Sequence, residues 1–324
     1  MWRSGALLLS TCWLFTCVSL GAWAQGTYPT RPIRFVVPFP PGGIDTPARA
    51  LTQKMSEDLG QPIVVENRAG ANGNIGTEFV ARSPADGHTL LFTSSGTMVI
   101  GLFVSKGVPF DPFRDFTPVM NVYESLQTVV VPSALPVKSL ADFIDYARRN
   151  PGKLSYSSSG VGSWVHLAVE TLKQSAGIDL LHVPYKGSGP MVADVASGRI
   201  DLTFPSYSTA FNFISGGKVR VLAIADSRRY PGLADIPALT EAVPGYQRPP
   251  TWIALFAPAN LPAPITRRIN GSAQKALDSA ELKAFFAKVN AIVVGGSAEE
   301  FAATLKADWD ITERLVKKLG IQPE

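Results

Sequence analysis

The sequence predicts an α/β protein of two domains with mostly parallel sheets. Three observations carry this. Strand and helix signals alternate along most of the 324 residues, the trace that βαβ units leave in a sequence. That length is generous for one domain and comfortable for two. Three Gly- or Ser-rich loops each follow a strand, at the carboxyl edge where open α/β sheets bind ligands.

The elements follow in order. Ile33 to Val37 is β-rich and stops at Pro38. Ala48, Leu51, Met55 and Leu59 then share one helical face behind Thr46-Pro47, a good start because proline needs no N–H there, and Gly60 ends the helix. Ile63 to Glu66 and Thr89 to Thr93 are strands, as is Val129 to Val131. Ser139 opens a helix with Asp142 three residues on, closed by Asn150-Pro151. Leu154 to Ser157, Leu180 to Val183, Ile200 to Phe204 and Val219 to Ile224 are further strands with helices between them. Trp252 to Ala257 reads as a strand returning to the first domain, so residues 25–127 with 250–324 form one discontinuous domain and 128–249 the other. Ser297 with Glu300 forms a capping box for a long amphipathic helix carrying Phe301, Leu305, Trp309 and Leu315, ended by Gly320.

Composition narrows the class. Apolar residues make up 46% and charged residues 17%, enough to bury a core and too apolar for disorder. The net charge of +4 is spread along the chain. Nucleic-acid binding, which concentrates basic residues, is therefore not expected. Residues 1–24 read as a signal peptide: Met1-Trp2-Arg3 is positive, Ala6 to Leu20 is apolar and Ala22-Trp23-Ala24 fits the small-x-small cleavage pattern. Both cysteines, Cys12 and Cys17, lie inside it, behind Thr11 and Thr16 rather than the small residue lipid attachment wants. The exported chain then has no thiol chemistry, and the periplasm is its expected location.

The first loop is Pro38-Phe39-Pro40-Pro41-Gly42-Gly43, stiffened by proline and opened by two glycines before a helix N-terminus. That end suits an anion. The second is Thr93-Ser94-Ser95-Gly96-Thr97, a lip of hydroxyls; the third is Ser157 to Ser163, leading into the helix at Trp164. Strand end, glycine, hydroxyl and helix N-terminus together suit a carboxylate, held without a counter-charge. Enzyme signatures are poor. No nucleophile elbow or Walker loop occurs, and His88, His166 and His182 lack metal-ligand spacing. No metal or other cofactor is expected. A hydrolase using a loop serine with His166 is the rival from another class; a helix-packing or ligand-contact role for His166 is favoured.

Several stretches in this order resemble the Bug-type periplasmic receptors of tripartite tricarboxylate transporters. They are Tyr28-Pro29, Arg31 to Ile33, Val36 to Gly43, Val65 to Arg68, Gly73 to Gly76, Asp86 to Leu90, Asn150 to Leu154, Ser158 to Ser163, Val183 to Gly187, Gly217 to Arg220 and Gly245-Tyr246. The resemblance implies a periplasmic-binding-protein fold of type II kind, closing about a hinge on an organic carboxylate; a monomer is expected. The partner is then a set of membrane transporter subunits, or alternatively a signalling protein. The chain itself is expected to be a receptor and not an enzyme. By position, the resemblance places Phe39, Gly42, Gly43, Thr93, Ser94, Ser95, Ser159, Gly160, Gly162 and Ser163 at the cleft; Ile44, Asp45, His166 and Ser206 are added as neighbours. Two departures from the family pattern stand out. Only Ile44 separates Gly43 from Asp45, where the family commonly has two residues, and Pro205-Ser206-Tyr207 stands where an acidic or amide residue is frequent.

Overall fold

The computed structural model describes residues 28–323 except Lys186; the segment read as a signal peptide lies outside the described residues. The strands are β1 (Ile33–Val37), β2 (Ile63–Asn67), β3 (Thr89–Ser94), β4 (Phe116–Ser125), β5 (Thr128–Pro132), β6 (Ser155–Ser158), β7 (Leu181–Pro184), β8 (Val219–Ile224), β9 (Trp252–Pro258) and β10 (Ala291–Gly295). The helices are α1 (Asp45–Leu59), α2 (Asn74–Ala81), α3 (Gly101–Val104), α4 (Leu140–Arg149), α5 (Trp164–Ala176), α6 (Ser188–Ala196), α7 (Tyr207–Ser215), α8 (Leu239–Ala242), α9 (Ala263–Asp278), α10 (Ala280–Lys288) and α11 (Ala298–Leu319).

Two sheet-centred lobes result. The larger holds a six-stranded sheet of order β10-β4-β9-β3-β1-β2. Alternation along its strands builds a core on each face. Ile33, Phe35 and Val37 of β1, with Ile253, Leu255 and Ala257 of β9, pack against helices α1, α9 and α10. Val36, Trp252, Ala254 and Phe256 face the other way, with Val80 of α2 and Phe301 and Leu305 of α11. The smaller lobe pairs β5 with β8 and β6 with β7, and residues 202 and 203 bridge these ribbons through Tyr156 and Val130. Val129 and Val131 enter its main core while Val130 lies on the opposite face. The lobes touch where Ile100 and Val316 of the larger meet Leu167 of the smaller.

Mostly parallel sheets are not what forms. Parallel pairing joins β1 to β2, β1 to β3 and β6 to β7, whereas β3/β9, β4/β9, β4/β10 and β5/β8 are antiparallel. The sheets are mixed because β9 returns from the smaller lobe and inserts, reversed, between β3 and β4. Strands β4 and β10 have no counterpart in the sequence reading, and the stretch read as a strand at 200–204 contributes only isolated bridges. The capping boxes at Ser139/Asp142 and Ser297/Glu300 form as expected.

Candidate functional site

Sheet order fixes where the loops fall. In the larger lobe, the loops after β1 and β3 lie on the flank opposite β10. The chain crosses between lobes at the ends of β4 and β9. In the smaller lobe, the loop after β6 lies on the flank opposite β8.

The first loop turns at Gly42 and Gly43, both at positive φ (97° and 46°). Asp45 N–H closes the turn on the Gly42 carbonyl at 2.8 Å. No side chain caps α1. The N–H groups of Gly42, Gly43, Ile44 and Thr46 have no hydrogen-bond partner among the described residues. Asp45 does not point its charge outward. It is buried, and its carboxylate accepts from Arg49 Nε at 3.0 Å and from Asn67 Nδ2 at 2.9 Å. Burial opposes ionisation there, yet the hydrogen bonds from Arg49 and Asn67 outweigh it and hold the carboxyl below its ordinary value. Asn67 Nδ2 also donates to the Phe39 carbonyl at 3.0 Å, so this buried acid pins the loop through one amide. The Phe39 ring rests over Gly73, whose neighbour Asn72 accepts the Thr97 hydroxyl at 3.0 Å.

The second loop is no simple lip. Gly96–Ile100 is a π-type turn running into α3. Thr93 is fully buried and its hydroxyl has no partner among the described residues. Ser95 donates to the Pro250 carbonyl at 2.8 Å and so clamps a crossover segment. Ser94 is half-buried, with no side-chain hydrogen bond among the described residues.

In the third loop, Ser163 caps α5 by accepting the His166 N–H at 3.3 Å. Gly160 N–H reaches Ser158 Oγ at 3.1 Å, and Gly162 N–H reaches His166 Nδ1 at 3.1 Å. Both glycines thus direct their N–H groups inward, where the sequence suggested a cradle for a ligand. An added Cβ at Gly162 would strike Val104 of α3 at 2.8 Å, so the loop packs tightly on the larger lobe. Ser159 is exposed. Trp164 Nε1 holds the Pro249 carbonyl at 3.0 Å, clamping the same crossover as Ser95. Ser206 caps α7 through the Thr209 N–H, beside the other crossover, where Tyr207 N–H reaches the Leu126 carbonyl at 2.8 Å.

Two large cavities lie away from these loops. One of about 850 Å³ is an open groove lined by Arg31, Arg34, Arg68, Arg82 and Phe79. The other, about 1020 Å³, lies between the lobes on the β8/β10 flank, over Glu124, Asp226, Arg248 and Asp308. Among the described residues no cluster of His, Cys, Asp or Glu could hold a metal ion, and no helix is long and apolar enough to cross a membrane.

The model of the tripartite tricarboxylate transporter family receptor matches residues 47–321. The chain belongs to this family. BugT of Bordetella pertussis is 36% identical over 266 residues, 81% of each chain. Among solved structures, Rpa4515 of R. palustris with adipate is 36% identical with a TM-score of 0.79, covering 92% of this chain and 100% of its own. MatC from Rhodopseudomonas palustris with bound malate is 31% identical with a TM-score of 0.73, covering 89% and 100%. The Bug-type resemblance and the α/β binding-protein fold therefore stand, with mixed rather than mostly parallel sheets, and this transporter-family member is a solute-binding receptor rather than an enzyme.

Within this receptor, the pairing that a Ser/His hydrolase would need at His166 does not form. His166 Nδ1 is occupied by Gly162, and the Ser163 hydroxyl accepts a backbone N–H. The Ser–His contact present is Ser158 Oγ with His182 Nε2 at 2.6 Å, and Ser158 is fully buried. The supporting roles of Arg49, Asn67, Trp164 and His182 are not part of the sequence reading, whereas Thr97 belongs to its second loop. The sequence raises His182 only as a candidate metal ligand. Asn67 and Trp164 join pieces of chain far apart in sequence, which no local pattern reveals, while the Arg49–Asp45 pair lies four residues apart on one helix.

Proposed function

We propose that this receptor captures a small organic carboxylate in the periplasm and delivers it to the membrane subunits of a tripartite transporter. One observation carries the reading: α1 starts without a side-chain cap, behind a loop whose N–H groups at Gly42, Gly43, Ile44 and Thr46 have no partner among the described residues. Such an end is completed by an anion. Hydrogen bonds to a charged group contribute roughly 1.5–3 kcal/mol each. The helix terminus adds about 0.3–1 kcal/mol. A few of them reach the roughly 8 kcal/mol of micromolar binding before ordering costs are subtracted. The relatives with adipate and malate support a di- or tricarboxylate as the ligand class.

In this reading residues 25–127 with 250–324 are one lobe and 128–249 the other. Phe39, Gly42, Gly43, Ile44, Ser94 and Ser159 face the ligand, whereas Asp45, Ser95, Gly160, Gly162 and His166 support the walls. Closure follows because the ligand touches both lobes and so favours the closed state. Binding needs no metal. A thermal-shift screen of organic acids on the purified monomer tests this. An acid at one hundred times its dissociation constant adds about 2.7 kcal/mol of stability, with or without chelator; absence of any stabilising acid overturns the carboxylate reading. Export with cleavage after Ala24 is checked by intact mass of the periplasmic protein.

A further inference from the structure

Beneath the third loop lies a stack of three rings. Tyr156 of β6 stacks on His182 of β7 (centroids 4.8 Å apart, 16° between planes), and His182 stacks on His166 of α5 (4.4 Å, 21°). The Tyr156 hydroxyl is anchored to Glu170 at 2.7 Å, which also takes Lys173 at 2.8 Å. The stack reaches the loop at two points. His182 Nε2 meets Ser158 Oγ, which also contacts the N–H and carbonyl of Gly160 at 3.1 and 3.0 Å. His166 Nδ1 takes the buried N–H of Gly162, a residue at φ 73°.

That last contact restricts the chemistry of His166. An imidazole nitrogen accepts a hydrogen bond only with its lone pair free, so the ring is neutral and its proton sits on Nε2. Burial first, and Lys173, hold His166 in that neutral form, while Glu170 acts the other way. Gly160 and Gly162 are both fixed inward, while the N–H groups of Ser159 and Val161 have no partner among the described residues.

We infer that His166 is a positioning residue for ligand capture: its Nδ1 lone pair takes the Gly162 N–H and thereby sets the orientation in which the Ser159–Ser163 loop meets the ligand. The inference rests on the carboxylate-receptor reading above. His166→Asn keeps an acceptor atom at the position of Nδ1, whereas His166→Phe keeps a flat ring and removes the acceptor. Calorimetry with adipate and malate compares both variants with the parent. The expected result is that His166→Phe weakens binding about tenfold or more and His166→Asn stays within about threefold. Imidazole ¹⁵N spectra of the parent at neutral pH show His166 as the Nε2–H form. The inference is overturned if folded His166→Phe binds as tightly as the parent, or if His166 Nδ1 carries the proton. The spectra decide the second point even where His166→Phe fails to fold. Failure of any acid to bind the parent instead removes the carboxylate reading.

Discussion

His182 and Asp308 show how single partly buried groups tilt this receptor's response to pH in opposite directions. His182 is held down to about 4 from its ordinary 6.5, by burial first and then by the adjoining His166. The unfolded chain therefore binds a proton that the folded chain refuses. The resulting stability is complete above about pH 6.5 and is lost as pH falls toward 4. Asp308 is raised to about 6 from 3.8, by burial, against the hydrogen bond from Trp252 Nε1 at 2.9 Å. Here the folded chain keeps a proton that the unfolded chain releases, so its contribution is present near pH 4 and is lost as pH rises to 6. Asp308→Asn should accordingly melt like the parent near pH 4 and higher than it at pH 7.5, because the amide retains an acceptor for Trp252 without a buried charge. Melting curves across that range check the sign; a variant less stable at pH 7.5 refutes it. Neither group could be picked out from sequence, since what shifts them is the packing of distant elements around them.

Among the elements, α1 matters most for binding, although α2, α3, α6 and α9 also start without a side-chain cap. Serine side chains cap α4, α5, α7, α10 and α11 through Ser139, Ser163, Ser206, Ser279 and Ser297. Helix α1 has none, and glycine turns precede it. Two substitutions separate architecture from binding. Ser297→Ala removes a cap far from the candidate loops and should cost about 1 kcal/mol of stability without changing ligand affinity. Gly43→Ala forces a side chain to φ 46°, costing roughly 1–2 kcal/mol, and turns the N–H groups behind it away from the ligand. Its affinity should therefore fall together with its stability. Urea unfolding and calorimetry on both variants decide the matter, and equal affinity in the two would contradict the role given to α1. The capping boxes were legible in the sequence because they are local. Strand β4 was not: Pro118 and register shifts after Pro118 and Asn121 break its alternation. Strand β10 is a short edge strand with Val293 and Val294 exposed, so its pattern is not that of a buried strand. Strand direction was equally hidden, because alternation looks the same in parallel and antiparallel pairs.

At the scale of the whole molecule, Arg248 ties the two lobes together. It lies in the segment that crosses back to the larger lobe. It donates to Asp226 beyond β8 at 2.9 Å and pairs with Glu124 on β4. Arg248→Met would leave both partly buried carboxylates unpaired, at about 3 kcal/mol. We expect unfolding in urea to lose its single cooperative transition, one lobe melting ahead of the other; an unchanged midpoint and slope would deny Arg248 this role. The position of β9 has a further consequence, for the order in which the chain assembles. Every strand of the smaller lobe comes from one continuous stretch, residues 128–224, whereas β3 of the larger lobe lacks its second neighbour until residues 252–258 arrive. Pairings this remote in sequence form slowly. Pulsed hydrogen exchange during refolding should find amides of β5, β6 and β8 protected before those of β3. A nascent chain that has not yet reached Trp252 carries a finished small lobe beside a half-built sheet with a bare apolar edge, the kind of intermediate that aggregates unless it is shielded.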